Sequence, residues 1–449
     1  MAAFAPYGLI LVWSRRRGFP FPAWTAVAAA ALLRAITVAG EPALSDDVHR
    51  YVWDGRVTLE GIDPYAHAPD DPALAHLRDD GWSRINNPSL ETPYPPMAQG
   101  IFALVAAISP TPEAFKATAA IFDLLVVFLL LKLGARTDPR RGTWAALAYG
   151  LNPLACVESG MSGHLESAAL AMALLALLLA GARFRRKGLA TLSASAFLAA
   201  SVATKLAPAI ALSAMARKKP GMLLAVPLLA AAAFLPFFCS SGFGALSSPD
   251  AMARRWEGNG SAFPIFKAAA GAAIVGCTRA DDPADIVHIP PLDVPARALQ
   301  GTFFSLHKDG DHDPRRPGSF TVEDLSLGLA KIVAGLLLLA VLVFAWRRAL
   351  PPSLAALWAF GALTLLTPIL HPWYALWVIS LASLRGAWPW LFLSFTLPLS
   401  YLPLDGWWAA GVWESPTWIP LVEYGVPLAA VVAYFVFSRS TARQDRKIQ

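Results

Sequence analysis

The chain has 449 residues, of which 56% are hydrophobic and only 15% charged, and its mean hydropathy is +0.49. A soluble domain carries about 25% charged residues, so a disordered chain, a coiled coil and a disulfide-stapled module are excluded. The net charge of +6 lies in short basic clusters between apolar segments, the pattern of membrane topology and not of a nucleic-acid surface.

The 16 Trp, 24 Phe and 37 Pro suit membrane spans, where aromatic belts and helix-interrupting prolines are common. The reading is an all-α polytopic membrane protein, a single transmembrane domain over residues 1–449. Basic clusters at Arg15 to Arg17, Arg136 to Arg141, Arg183 to Lys187, Arg217 to Lys219, Arg347-Arg348 and Arg439 to Lys447 are placed inside. Apolar segments at 22–40, 113–133, 143–158, 163–182, 188–204, 206–217, 220–238, 327–346, 353–370, 373–385, 387–401 and 419–438 then cross the bilayer. That makes about twelve spans, within a range of ten to fourteen. Residues 4–14 form a partial or extra span. Segments 206–217 and 373–385 are short for a ~30 Å hydrocarbon core and are expected to be broken or tilted.

This registration puts two long loops outside, 41–112 and 239–326, each with a juxtamembrane helix, at Met97 to Ser109 and at Phe263 to Val275. Of the three cysteines, Cys239 and Cys277 fall on the outer face and could pair, while Cys156 is a small apolar residue in a helix. No CxxC pattern occurs, and Asp309-Gly310-Asp311-His312-Asp313 lacks the downstream Gly and Glu of a calcium loop. No P-loop or GxGxxG follows a strand, so a transferase built on this chain draws its group from a lipid carrier. No internal repeat of the kind that builds many transporters is visible.

The first outer loop is the chemically dense segment. From Glu41 to Glu91 it holds eleven of the chain's 31 acidic residues and four basic ones. It opens with Ser45-Asp46-Asp47-Val48-His49-Arg50-Tyr51-Val52-Trp53-Asp54-Gly55-Arg56. Gly61-Ile62-Asp63-Pro64-Tyr65 follows, then Asn86-Asn87-Pro88 and Tyr94-Pro95-Pro96. In a helix over 46–57 capped by Ser45, Asp46, Arg50, Trp53 and Asp54 share a face. Aromatic rings beside paired carboxylates suit a sugar, since rings stack on its apolar face and carboxylates accept from hydroxyls. A carboxylate there can also deprotonate a hydroxyl. The competing readings are a helix cap for Ser-Asp-Asp and interfacial anchoring for Tyr51 and Trp53.

This order of elements resembles the GT-C superfamily of integral-membrane glycosyltransferases, in particular the bacterial polyprenyl-phosphate-mannose-dependent mannosyltransferases. The resemblance implies that Asp46 is the general base and Asp47 its partner, with inversion at the anomeric carbon. Ser162-Gly163-His164-Leu165-Glu166-Ser167 resembles the family's short second outer loop and marks Glu166 as a functional acid, with His164 and Glu158 beside it. His371-Pro372-Trp373-Tyr374 resembles a late-span motif, where His371, Trp373 and Tyr374 contact a lipid phosphate or form an aromatic belt. Arg50, Tyr51, Trp53, Asp54 and Tyr65 complete the expected substrate contacts. Asp47 and Glu166 orient acceptor hydroxyls or hold a divalent cation. Lys205, near the outer surface, is a contact for a donor phosphate.

Two ionisable residues at membrane depth, Arg34 and Asp123, are expected to pair, since an isolated charge there is costly. The implied activity moves a sugar, mannose by the resemblance, from a polyprenyl-phosphate donor to a glycan, glycolipid or protein acceptor. It takes place at the outer face of the plasma membrane. A transporter or flippase of lipid-linked sugars is the alternative, but it predicts similar loops on both faces, and here the long loops share one. A structural envelope subunit gives no reason for Asp-Asp beside Arg-Tyr-x-Trp.

Overall fold

The computed structural model describes residues 2–182, 187–242, 257–278, 286–288, 319–410 and 415–429. Helices α1 (Phe4–Arg17), α2 (Trp24–Val38) and α3 (Asp47–Leu59) come first. They are followed by α4 (Pro96–Ile108), α5 (Pro112–Ala135), α6 (Pro139–Gly150) and the one-turn α7 (Pro153–Cys156). After α7 a π-turn at Val157–Met161 leads to α8 (Glu166–Ala180), α9 (Lys187–Val202), α10 (Ala211–Ala216) and α11 (Met222–Ser241). Then come α12 (Phe263–Thr278), α13 (Val322–Arg347), α14 (Pro352–Leu366), α15 (Leu376–Arg385), α16 (Trp388–Thr396), α17 (Leu404–Ala410) and α18 (418–429). The described strands, β1 (Ile286–His288) and β2 (Ser319–Thr321), form one antiparallel ribbon.

Prolines set many of the starts. Pro96, Pro112, Pro139, Pro153 and Pro352 occupy the first helical turn, where a missing N–H costs nothing. The same chemistry interrupts the apolar segments. Residues 206–217 fold as a 3₁₀ turn at Ala207–Ile210 before α10, and His371-Pro372 gives a 3₁₀ turn at Pro372–Ala375 before α15. In both segments the 3₁₀ turn runs directly into the α-helix.

Among the described residues, α5 and α13 are long and apolar enough to cross a membrane. A third span forms if Pro153–Met161 and α8, bent by 117° at their junction, count as one. Seven shorter apolar helices of 10–17 residues accompany them. Exposed Leu32, Ile36, Ile121, Leu224, Leu336 and Leu339 place apolar side chains outward, which suits lipid better than water.

The central core gathers α1, α2, α5, α6, α8, α14 and α15 around buried alanines and leucines. Small residues bring backbones close. A Cβ on Gly142 would stand 2.5 Å from the carbonyl oxygen of Leu131, and one on Gly134 would meet the Gly142 backbone at 2.7 Å. The expected deep pair is present: Asp123 accepts from Arg34 Nε at 2.9 Å and Nη2 at 2.6 Å, and from the Tyr149 hydroxyl at 2.7 Å. Arg34 also donates to the carbonyl of Gly150.

Two expectations change. Helix α3 begins at Asp47, not Asp46, because Asp46 has φ −99° and ψ 0° and stands just outside it. Cys277 is a free, exposed thiol, so the Cys239–Cys277 disulfide does not form; Cys156 is free and buried. Residues 183–186, most of 239–326 with the Asp309 to Asp313 run, and the Arg439 to Lys447 cluster lie outside the described residues.

Candidate active site

The start of α3 carries the diacid. Ser45 Oγ accepts from the Asp47 amide at 3.3 Å, and the Asp46 side chain caps nothing. Both carboxylates are turned instead to Asn86, whose amide donates to Asp46 Oδ1 at 2.6 Å and Asp47 Oδ1 at 2.9 Å. One side chain thus holds two like charges together. The hydroxyls of Tyr51 and Tyr94 each lie 3.4 Å from Asp47 Oδ2. Ser45 therefore bonds the first turn of α3, while the Asp46 side chain makes no capping bond.

The two acids are driven apart in acidity. Burial pushes Asp46 above the usual carboxylate range, and the Asp47 charge adds to that, while the Asn86 amide opposes both. Burial also raises Asp47, but His164, the Asn86 amide, Lys205 and His371 together outweigh it and hold Asp47 below its ordinary value. Opposite shifts in neighbouring carboxyls separate proton acceptor from fixed anion.

A second wall comes from the break between the π-turn and α8. Gly163 takes the left-handed conformation at φ +72°, and a Cβ there would press within 3.0 Å of Lys116 Cγ. This turn buries His164 with Nδ1 3.0 Å from Glu158 Oε2 and Nε2 3.2 Å from Ser45 Oγ. His164 Nε2 is also 3.9 Å from Asp47 Oδ2. Glu158 accepts from the Tyr401 hydroxyl at 2.7 Å. π-turns often mark functional positions, and this one presents Glu158.

The third wall is His371-Pro372-Trp373-Tyr374. Trp373 is sandwiched between two imidazoles, with ring centroids 3.9 Å from His164 and 4.3 Å from His371. Tyr374 stands edge-on to both His371 and Trp373. Burial drives His371 down to about 4, with the Asp47 charge opposing, so it is neutral at pH 7. Lys205 closes the ring. Its Nζ is 2.7 Å from Glu166 Oε1, 5.3 Å from the Tyr94 ring centre and 5.8 Å from that of Tyr374. The side chains of Asp47 and Lys205 are 19% and 18% exposed, so the cluster reaches the surface.

The structure thus gathers Asp46, Asp47, Tyr51, His164, Glu166, Lys205, His371, Trp373 and Tyr374. It does not bring the other expected contacts there. Arg50 and Asp54 form a buried i,i+4 pair at 2.8 Å, tied to the carbonyl of Leu90 and to Thr92 and Gln99. Trp53 packs with Val57, Leu74, Leu77 and Ile85. Tyr65 donates to the carbonyl of Tyr94. Arg50, Trp53 and Asp54 tie the first outer loop to α3, and Tyr65 joins two parts of the loop. Asn86, Tyr94 and Tyr401 were not read as site residues from sequence. Tyr94 and Asn86 had a faint signal in the Asn-Asn-Pro and Tyr-Pro-Pro runs, and Tyr401 had none.

A divalent cation fits poorly. Glu166 is committed to Lys205, and among the described residues no group of three or more His, Cys, Asp or Glu is arranged to hold a metal.

Residues 1–218 match the MptA_B family, whose description is alpha-(1->6)-mannopyranosyltransferase, N-terminal domain. Over these residues the chain is similar to that mannosyltransferase family. The match takes in the diacid, the loop that holds Asn86 and Tyr94, the Glu158–His164 turn, Glu166 and Lys205. His371, Trp373, Tyr374 and Tyr401 lie beyond it. No curated protein and no solved structure matches the chain. The family supports mannosyltransferase activity, hence a sugar donor and a glycan acceptor in general.

Proposed function

We propose that the protein transfers mannose from a polyprenyl-phosphate carrier to an acceptor hydroxyl at the outer face of the plasma membrane. The wider reading is a polytopic protein of about twelve spans, with the shorter apolar helices as tilted or paired crossings. The observation that carries the proposal is the Asp46–Asp47 pair clamped by Asn86, beside a lysine and an aromatic wall.

The chemistry follows from the two acidities. Asp46, with its raised proton affinity, takes the proton as the acceptor oxygen attacks the anomeric carbon. The bond from that carbon to the phosphate oxygen breaks, and the lipid phosphate leaves with the electron pair. An attack from the face opposite the leaving group inverts the anomeric centre. Asp47, kept ionised, orients acceptor hydroxyls and stabilises the positive charge that develops on the sugar. Lys205 and the N–H of neutral His371 receive the departing phosphate. Tyr374, only partly buried, offers its ring to the sugar, while Trp373, stacked against His164 and His371, holds the two imidazoles in place.

The test uses purified protein in nanodiscs with radiolabelled mannosyl-phosphoryl-polyprenol or a nucleotide-linked mannose, plus an oligomannoside acceptor. Label is expected to move covalently from the lipid-linked donor only, and Asp46→Asn is expected to slow the transfer roughly 10²–10⁴-fold. Label taken from the nucleotide sugar would overturn the donor. Lipid-linked sugar that crosses vesicle membranes without covalent transfer would make the chain a flippase.

A further inference from the structure

The ends of the helices opposite the diacid enclose a cavity of about 230 Å³. It lies where α5, α8, α10 and α15 end and where α6 and α14 begin. Arg141, Lys218, Lys219 and Arg385 line it, and no acidic residue does. Apolar Leu133, Leu177 and Met215 form its inner side.

Cations at helix C-termini often serve only to offset the helix dipole or to bond the last carbonyls. At the end of α8 that bonding is made by a cation outside the lining. Arg136 donates to the carbonyl of Leu178 at 2.7 Å, near the end of α8. Among the described residues none of the four lining cations makes an ion pair or a side-chain hydrogen bond to a carbonyl. Four unneutralised cations around one cavity repel one another unless an anion sits between them. The first turn of α14, at Pro352 and Ser353, also faces the cavity and adds the positive end of a 15-residue helix.

We infer that this cavity is a binding site for the phosphate headgroup of an anionic membrane lipid. The apolar inner side, with Leu125 and Phe128 exposed on the outer face of α5, favours a lipid over a free anion, since an acyl chain can lie along an apolar surface. The site shares no residue with the diacid cluster, so it stands or falls apart from the proposed sugar transfer.

The experiment measures thermal unfolding of the full chain in a zwitterionic detergent on addition of dioleoylphosphatidylglycerol, dioleoylphosphatidylcholine or inorganic phosphate. Phosphatidylglycerol alone is expected to raise the midpoint. The double variant Lys218→Gln/Arg385→Gln should need roughly 30-fold more of it, since each cation near an anionic lipid contributes about one factor of five. An Arg16→Gln/Arg17→Gln variant removes the same charge from the exposed end of α1 and should bind as the parent does. Equal loss in both variants would reduce the effect to bulk charge and overturn the site. Stabilisation by inorganic phosphate matching that by the lipid would overturn the lipid assignment. If the first variant unfolds without lipid, Lys219→Gln alone, with an expected fivefold loss, decides the matter.

Discussion

Asp46 and Asp47 differ by one position and by opposite environments, and that difference is testable. Asp46→Asn keeps the shape and the Asn86 contact, so folding should be unaffected while turnover falls roughly 10²–10⁴-fold with donor binding little changed. Transfer within a few-fold of the parent in a folded protein would refute the assignment. The pH profile provides a second check. A base must be deprotonated, so activity is lost as pH falls through the Asp46 value, which lies above the ordinary carboxylate range. The Asn86 amide stabilises the ionised forms, so Asn86→Ala should move the acid limb of kcat/KM to higher pH. A limb that stays put or moves to lower pH would mean that neither carboxylate sets it.

At the scale of elements, the position of the site depends on how α3 is held. Gly55 lies against α4, and a Cβ there would stand 2.5 Å from the carbonyl oxygen of Phe102 and 2.8 Å from its carbon. Backbone cannot yield as a side chain can, so Gly55→Ala must push α3 away from α4. The expected cost is about 1–3 kcal/mol, read as a lower unfolding midpoint; an unchanged midpoint would show that the α3–α4 contact does not set the position of α3. The deep pair joins α2 to α5. Arg34→Met or Asp123→Leu alone leaves a buried charge unmatched and should cost about 3–5 kcal/mol. The double variant should recover most of this, but not all, because the Gly150 carbonyl and the Tyr149 hydroxyl lose their partners. A double variant as unstable as the sum of the singles would show that the two charges do not act as a pair.

For the whole molecule, the diacid and the cationic cavity occupy opposite ends of α5, α8, α14 and α15. If the helices cross a bilayer, the two ends face different compartments, and basic residues mark the inside. Cys277, free and exposed, should react with an impermeant thiol reagent on intact cells, while buried Cys156 should not. With Cys239 and Cys277 replaced by Ser, Ala73→Cys should label and Thr137→Cys should not. Both positions are exposed on the protein, so only the membrane can separate them. Labelling of Thr137→Cys in sealed cells would invert the topology and move the proposed chemistry to the inside.

Composition and local order determined much of this protein. Hydropathy and basic clusters gave the helical class, the prolines gave the helix starts and breaks, and the acid-rich run after α2 identified the chemically dense loop. The Arg34–Asp123 pair was legible because an apolar environment leaves two lone opposite charges little choice. Tertiary structure decided what spacing could not. Arg50, Trp53 and Asp54 carry the same types of side chain as a sugar site, yet Arg50 and Asp54 neutralise each other in the interior and Trp53 fills a small core. Asn86 meets the diacid across about forty residues, and Tyr401 meets Glu158 across 243. Such contacts have no local signature, because a hydrogen bond depends on where two elements dock and not on the sequence beside either one.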